Sequence, residues 1–202
     1  MSAPPSFAVN FDYRCPFARN AHEHVMAGLR AGAEWEVAFL PFSLTQVHVG
    51  EGDTAVWDDP AHAGDLIALE AGIAVRDWFP SDFLAVHQAL FTARHDAGLD
   101  LRDRDVVLRA LDATGVDADQ VLAVVDEGKP RAIIAATHTE TVEKHQVFGV
   151  PTFFIGDQVA FARIMTRPAT DPAASVAVVE HVLRLIVGHP ELNELKHTTI
   201  PH

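Results

Sequence analysis

Cysteine is almost missing from this chain: Cys15 is the single one in 202 residues, so no disulfide can close within it. No apolar run approaches the roughly 20 residues that carry a helix across a bilayer. The first residues, Met1-Ser2-Ala3-Pro4-Pro5, lack the basic start and long apolar stretch of a secretory signal. These absences predict a cytoplasmic protein in a reducing compartment, where a lone thiol suits conjugation or reduction better than oxidative folding. Basic charge is scarce too, with 15 Lys+Arg against 28 Asp+Glu and a formal charge of −13. No Lys/Arg run offsets this, which argues against nucleic acid or an anionic membrane as partner. No Cys/His cluster has ligand spacing, so no metal is expected. Internal repeats, low-complexity tracts and interdomain linkers are absent as well.

What is present is a chain of 49% hydrophobic residues and 12 histidines. That length and content suffice for a real core. Phe7 to Phe11 reads as a short strand. Ala18, Ala21, His22, Val25, Met26 and Leu29 then recur at helical spacing, Gly32 stops the helix, and Trp35 to Leu40 alternates as a second strand. A strand, helix and strand in this length predict a parallel crossover unit. From about Asp58 to Val147 the pattern is helical almost throughout. Ser81, Asp103 and Asp117 serve as helix starts there, Gly115 and Gly128 as stops, and a fifth segment runs from about Pro130 towards His145. Ninety residues of helix are too many for a loop and predict a subdomain. Thr152–Ile155 and Val159–Phe161 flank a compact turn at Gly156-Asp157-Gln158, and Asp171-Pro172 caps a last amphipathic helix to Gly188. Leu192, Leu195 and Ile200 in the tail from His189 to His202 suggest packing on the body or on a partner.

Cys15 stands where the first strand gives way to the first helix, in Asp12-Tyr13-Arg14-Cys15-Pro16-Phe17-Ala18. Proline suits the first helical position, which puts Cys15 at the helix mouth, among unpaired N–H groups and the positive dipole end. An unperturbed thiol has a pKa of about 8.5 and is about 3% ionised at pH 7. The dipole lowers that value by up to about 1.5 units. Arg14 and Arg19 add to this if they lie close, and Asp12 opposes it. The competing reading is an inert, buried small hydrophobe, the commonest fate of a lone cysteine.

A second motif lies more than a hundred residues later, His145-Gln146-Val147-Phe148-Gly149-Val150-Pro151-Thr152-Phe153-Phe154, a turn entering a buried strand. A Cys-Pro helix start after the first strand, paired with Gly-Val-Pro-Thr-Phe-Phe at a later one, resembles the DsbA-like branch of the thioredoxin superfamily, over nearly the whole chain. The resemblance implies an α/β, thioredoxin-like fold with a helical subdomain inserted after the second strand. Residues 1–57 and 148–202 would form the discontinuous thioredoxin-like domain and 58–147 the insertion. It also implies a cis Val150–Pro151 bond beside Cys15, whereas most X–Pro bonds, roughly 94 to 95%, are trans.

Ala18 departs from the dithiol pattern, because a dithiol oxidoreductase carries its second cysteine there. A mixed disulfide on Cys15 must then be resolved by a thiol from another molecule. The first expectation is therefore a monothiol thiol-disulfide oxidoreductase or thiol-dependent reductase. Cys15 is its nucleophile and Pro151 its positioning proline, while Pro16, Phe17, Ala18, Val150 and Thr152 border the substrate. No cofactor is tightly bound; a low-molecular-weight thiol is the co-substrate, and a disulfide or small organic molecule the partner. The apolar tail points to a homodimer. The second expectation is a thiol-cofactor-dependent isomerase or transferase, as in the hydroxychromene-carboxylate isomerase and kappa-class glutathione transferase relatives, where a serine typically stands at the place of Cys15. A third is a non-catalytic binding module. A monothiol iron–sulfur carrier fits worse, because Pro16-Phe17-Ala18 is not the Gly-rich motif it needs.

Other candidates carry structural readings. His22 lies on the apolar stripe and reads as a core histidine; His22 and His24, two apart on a helix, cannot easily share a metal. His138 and His145 read as a solvated helix face, the alternative being an approach to the Pro151 loop. Trp78, Phe79, Phe83, Phe91 and His87 read as core packing rather than a pocket lining. Trp57 is the candidate for an exposed aromatic.

Overall fold

The computed structural model describes residues 5–199. Met1–Pro4, read above for a signal, and Ile200 of the tail lie outside the described residues. The chain divides into two compact units. One holds the described parts of Met1–Phe11 and Gly149–His202 together with Cys15–Leu40, and the other holds Asp12–Arg14 and Pro41–Phe148.

The first unit is built on a four-stranded sheet in the order β2-β1-β3-β4, with β1 at Ser6–Phe11, β2 at Glu36–Pro41, β3 at Thr152–Ile155 and β4 at Gln158–Phe161. β3 runs antiparallel to β1, pairing Ala8 with Phe154 and Val9 with Phe153, and β4 runs antiparallel to β3. Because side chains alternate along a strand, Phe7, Val9 and Phe11 share one face, and all three are buried. Helix α1, Pro16–Arg30, packs against that strand and against α8, Pro172–Gly188. His22 meets the edge of Phe11 at 5.5 Å and lies tilted on Phe39 at 5.6 Å, so the imidazole is part of this core. Gly28 is required where α1 passes Trp35: a Cβ there would overlap the Trp35 ring carbons.

The second unit is helical. It contains α2 at Leu44–Val47, a 3-10 turn at Pro60–His62, and then α3 Ala63–Trp78, α4 Phe83–His95, α5 Arg104–Asp112, α6 Ala118–Asp126 and α7 Lys129–His145. Asp103 and Asp117 cap α5 and α6 by accepting the Asp105 and Gln120 N–H groups, as short polar side chains do. Ser81 does not start α4. Asp82 is the cap residue, without a side-chain bond to the helix, and the Ser81 hydroxyl donates to its carboxylate instead. Residues 41–57, placed by the sequence with the thioredoxin-like segments, pack with the helical unit. Leu44 N–H donates to Asp12 Oδ2 at 2.9 Å and Ser43 N–H to His138 Nδ1 at 3.2 Å, bonds that no hydrophobic pattern announces.

Tyr13 is the centre of this unit's core. It is 1% exposed, its hydroxyl lies 2.8 Å from His87 Nδ1, and its ring meets Phe91 edge-on at 4.9 Å. Burial pushes its phenol well above the ordinary pKa, so it keeps its proton beside the His87 ring. His87, Phe83 and Phe91 are thus core residues, as their spacing predicted, whereas Trp78, read with them, is exposed and Phe79 is half-buried. Gly72 of α3 lies directly under the phenol, and a Cβ there would sit 2.9 Å from Tyr13 Cε2 and nearer still to its hydroxyl. Alanine in an exposed helix is better than glycine by about 1 kcal/mol. Gly72→Ala is instead expected to destabilise by about 1–3 kcal/mol, because an anchored ring must move; urea denaturation followed by circular dichroism checks the sign.

Candidate active site

Cys15 is the N-cap of α1. Its φ and ψ of −90° and 118° are extended, Pro16 follows at the first helical position, and Sγ accepts the Ala18 N–H at 3.4 Å. The thiol also donates to the Val150 carbonyl at 3.5 Å. These two bonds pull in opposite directions. The amide favours the thiolate, whereas the carbonyl favours the protonated thiol and is repelled by an ionised sulfur. The residue is 7% exposed, so it is less open than its position in the sequence implied. No charge from Arg14 reaches it unpaired: that guanidinium is engaged by Asp12, by Asp65 at 3.1 Å and by Thr45. Arg19 donates to the neighbouring Asn20 side chain.

The loop facing Sγ carries a cis Val150–Pro151 peptide bond. What holds the loop is Asn10, which is fully buried near the C-terminal end of β1. Its Nδ2 donates to the Gly149 carbonyl at 3.2 Å, and its Oδ1 accepts the Thr152 N–H at 2.6 Å. One amide side chain thus bridges the residues on either side of Val150-Pro151. Thr152 closes the same loop from within, its hydroxyl donating to the Gly149 carbonyl at 2.8 Å. The sequence reading missed Asn10. The available signal was a lone amide residue inside the apolar run Phe7 to Phe11, since a buried polar group needs partners.

A third segment completes the site. After β4 the chain is tied down at successive points: Ala162 N–H donates to the Pro151 carbonyl at 3.2 Å, and Asn20 Nδ2 to the Ile164 carbonyl at 3.1 Å. His24 Nε2 donates to the Thr166 carbonyl at 3.1 Å, and Arg167 grips Glu23 with two bonds of 2.7 and 2.8 Å. Because a carbonyl only accepts, His24 carries its proton on Nε2, and Nδ1 receives the Ser175 hydroxyl of α8. None of these ties was read from the sequence: the partners on α1 lie about 140 residues away, and the Ala162–Pro151 bond joins the end of a hairpin to a loop that no local spacing aligns.

The expected substrate-bordering residues therefore divide. Pro16 is exposed and Phe17 half-buried, but Ala18, Val150 and Thr152 are buried. The Thr152 side chain serves the loop instead of facing outward, because its hydroxyl and N–H are both consumed. His138 is not on a solvated face: it is buried, stacked on Phe42 at 4.2 Å with Trp57 at 5.4 Å, whereas His145 is exposed. Trp57 is half-buried against that imidazole. Leu192 and Leu195 are exposed rather than packed on the body. Among the described residues no group of three or more His, Cys, Asp or Glu side chains could hold a metal ion, and no helix is long and apolar enough to cross a membrane. A concavity of about 420 Å³ on the sheet, bordered by Ala8, Val37, Ala38 and Phe154, includes none of the residues around Cys15.

Burial lowers the pKa of His22 and of His138 to about 4 each, and lowers that of His24. All three are neutral in the fold at pH 7. An unfolded histidine titrates near 6.5, so below that pH the unfolded chain takes up protons that the native state refuses. Stability is therefore full above about pH 6.5 and is lost as the pH falls towards 4. For His22 alone the loss amounts to about 3 kcal/mol. The urea midpoint is expected to fall steadily from pH 7 to pH 4.5, and His22→Gln is expected to flatten that slope.

Residues 82–174 match the DSBA-like thioredoxin domain family. The chain is 26% identical over 196 residues to the uncharacterized protein Rv2286c of Mycobacterium tuberculosis, covering 95% of this chain and 81% of that protein. Among solved structures it is similar to a 2-hydroxychromene-2-carboxylate isomerase, with a TM-score of 0.61 at 14% identity over 94% of this chain and 100% of that one. It is also similar to a thioredoxin-like oxidoreductase from Silicibacter pomeroyi, at 0.57 and 19% over 89% and 86% of the two chains. The DsbA of Pseudomonas aeruginosa is similar at 0.59 and 16%, over 95% and 88%.

Proposed function

From a chain with the DsbA-like thioredoxin fold, we propose a thiol-disulfide oxidoreductase of monothiol type, with Cys15 as nucleophile and Pro151 at the substrate edge. The observation that carries this reading is the position of Sγ, bonded both to the first turn of α1 and to the carbonyl that precedes Pro151. In the first step the Cys15 thiol loses its proton to solvent, and the thiolate attacks one sulfur of a disulfide. A Cys15–sulfur bond forms, the substrate S–S bond breaks, and the other half leaves as a thiolate. In the second step a low-molecular-weight thiol attacks the mixed disulfide, releases a new disulfide and restores Cys15. Once the sulfur is ionised or bonded, the Val150 carbonyl has lost its donor and can accept an N–H from an extended substrate. Phe17 offers the accompanying apolar surface. The reducing compartment expected from the scarcity of cysteine supplies the resolving thiol.

The test is incubation of the protein with an oxidised small thiol followed by intact-mass spectrometry. A single adduct on Cys15 that a reduced small thiol removes is the expected result; no adduct at any pH between 6 and 9 overturns the reading. The burial of Cys15 favours a second reading, in which the enzyme activates the thiol of a bound cofactor for isomerisation or transfer. The similarity to an isomerase suits it. A thiol-dependent reaction that survives Cys15→Ser would establish it.

A further inference from the structure

We infer that Arg163 is the anion-recognition residue of the Cys15 site and selects small thiols and disulfides that carry a carboxylate. The inference rests on the proposed thiol-disulfide chemistry and names its substrate class. Arg163 follows β4 and is exposed, but it is not a loose surface cation. Its guanidinium lies over the Phe17 ring at 5.1 Å from the centroid and within 5.5 Å of the Phe161 centroid. Phe17 belongs to the Cys15-Pro16-Phe17-Ala18 turn itself. Both distances fall within the range in which a ring quadrupole attracts a cation. The neighbouring backbone is fixed on each side, by Ala162 N–H on the Pro151 carbonyl and by Asn20 on the Ile164 carbonyl. One of those ties reaches the Pro151 loop and the other reaches α1, the two elements that hold the sulfur.

Charge balance makes the position unusual. The chain has 28 acidic and 15 basic residues, and the next arginine along, Arg167, is gripped by Glu23. Among the described residues no carboxylate pairs with Arg163. A guanidinium stacked on aromatic faces keeps its N–H edge for an in-plane, two-point bond to a carboxylate. In a protein of net charge −13, a cation held over Phe17, two residues along the chain from Cys15, also offsets the repulsion that an acidic substrate would meet. A neutral or cationic disulfide gains nothing from it. The thiolate-leaving step is unchanged in its balance; only the affinity for the incoming molecule depends on Arg163.

The experiment compares rates of Cys15 mixed-disulfide formation with 3,3′-dithiodipropionate, a dianion, and bis(2-hydroxyethyl) disulfide, which is neutral. The neutral reagent is the internal reference for any change in the reactivity of Cys15 itself. The dianion-to-neutral ratio is expected to fall roughly tenfold in Arg163→Gln, the loss of one charge-assisted contact, and to fall less in Arg163→Lys. Raising the salt concentration should draw the wild-type ratio towards that of the glutamine variant, because an exposed pair is screened. A ratio in Arg163→Gln within about twofold of wild type, where the expected contact is worth tenfold, overturns the inference while leaving the thiol chemistry intact. Failure of wild-type Cys15 to react even with the neutral disulfide overturns the underlying functional reading instead.

Discussion

Cys15→Ala is expected to reduce thiol-disulfide exchange to the uncatalysed background while leaving the fold in place. The chain has no other sulfur nucleophile among its cysteines, and no second thiol can substitute for it. Stability should change little, because the alanine keeps the Cβ and the helix still begins at Pro16, whose missing N–H needs no partner. The Ala18 N–H loses an acceptor, a cost of about 1 kcal/mol. The measurement is the rate of adduct formation in the mass-spectrometric assay, with circular dichroism as the control for folding. Cys15→Ser separates the two functional readings, since serine retains the cap but is not a competent attacker of disulfides. Exchange that persists in either variant removes Cys15 from the chemistry. The pH dependence of Cys15 alkylation in the wild type adds a second readout. The rate should rise at a pH below the ordinary thiol value of about 8.5 if the Ala18 amide outweighs the Val150 carbonyl. A midpoint at or above that value means the carbonyl dominates and holds the thiol protonated.

Asn10→Ala is expected to be the most damaging substitution outside the cysteine. It orphans the buried Thr152 N–H and strips one of two donors from the Gly149 carbonyl, which keeps the Thr152 hydroxyl. Leaving such groups unpaired costs about 1–3 kcal/mol each, and the empty amide volume adds to it, for a total of about 3 kcal/mol. The effect should exceed a stability loss. With the bridge gone, residues 149–151 are held to β1 only through the β3 ladder that begins beyond them, and the Val150 carbonyl is less firmly placed against Sγ. Adduct formation at Cys15 should therefore slow at temperatures where the variant remains fully folded. Asn10→Asp is the informative partner: it keeps an acceptor for Thr152 but has no donor for Gly149, and it buries a charge. A variant of either kind with wild-type exchange rates and a lowered unfolding midpoint would assign Asn10 to stability alone.

The element order was legible because it rests on periodicity and punctuation. The stripe from Ala18 to Met26 is buried in α1 with Leu29 half-buried beyond it, and Asp103, Asp117 and Asp171 cap the helices they precede. Those signals are local, since a cap or an apolar spacing acts over a few residues. The errors have the same origin. Ser81 resembles a helix start as well as Asp82 does, and only the backbone beyond Pro80 decides between them. His138 reads as one more polar residue on a polar helix, yet a backbone donor 95 positions away satisfies its ring and makes burial tolerable. Leu192 and Leu195 read as packing on the body or on a partner; the body does not cover them, and nothing in their spacing chooses between the two.

By itself, the sequence determined that one sulfur stands at a helix mouth, that a proline turn opens a late strand, and that no second cysteine can resolve a mixed disulfide. Helix entry, strand entry and residue count are properties of neighbouring or countable residues. The tertiary structure alone decided that these two motifs meet, that Asn10 bridges the loop, that the chain after β4 is tied to α1, and that Arg163 lies over Phe17 without a carboxylate partner among the described residues. Each of those contacts joins residues more than a hundred positions apart. Such contacts depend on how the sheet closes and which polar groups find partners on burial, and no local propensity encodes either.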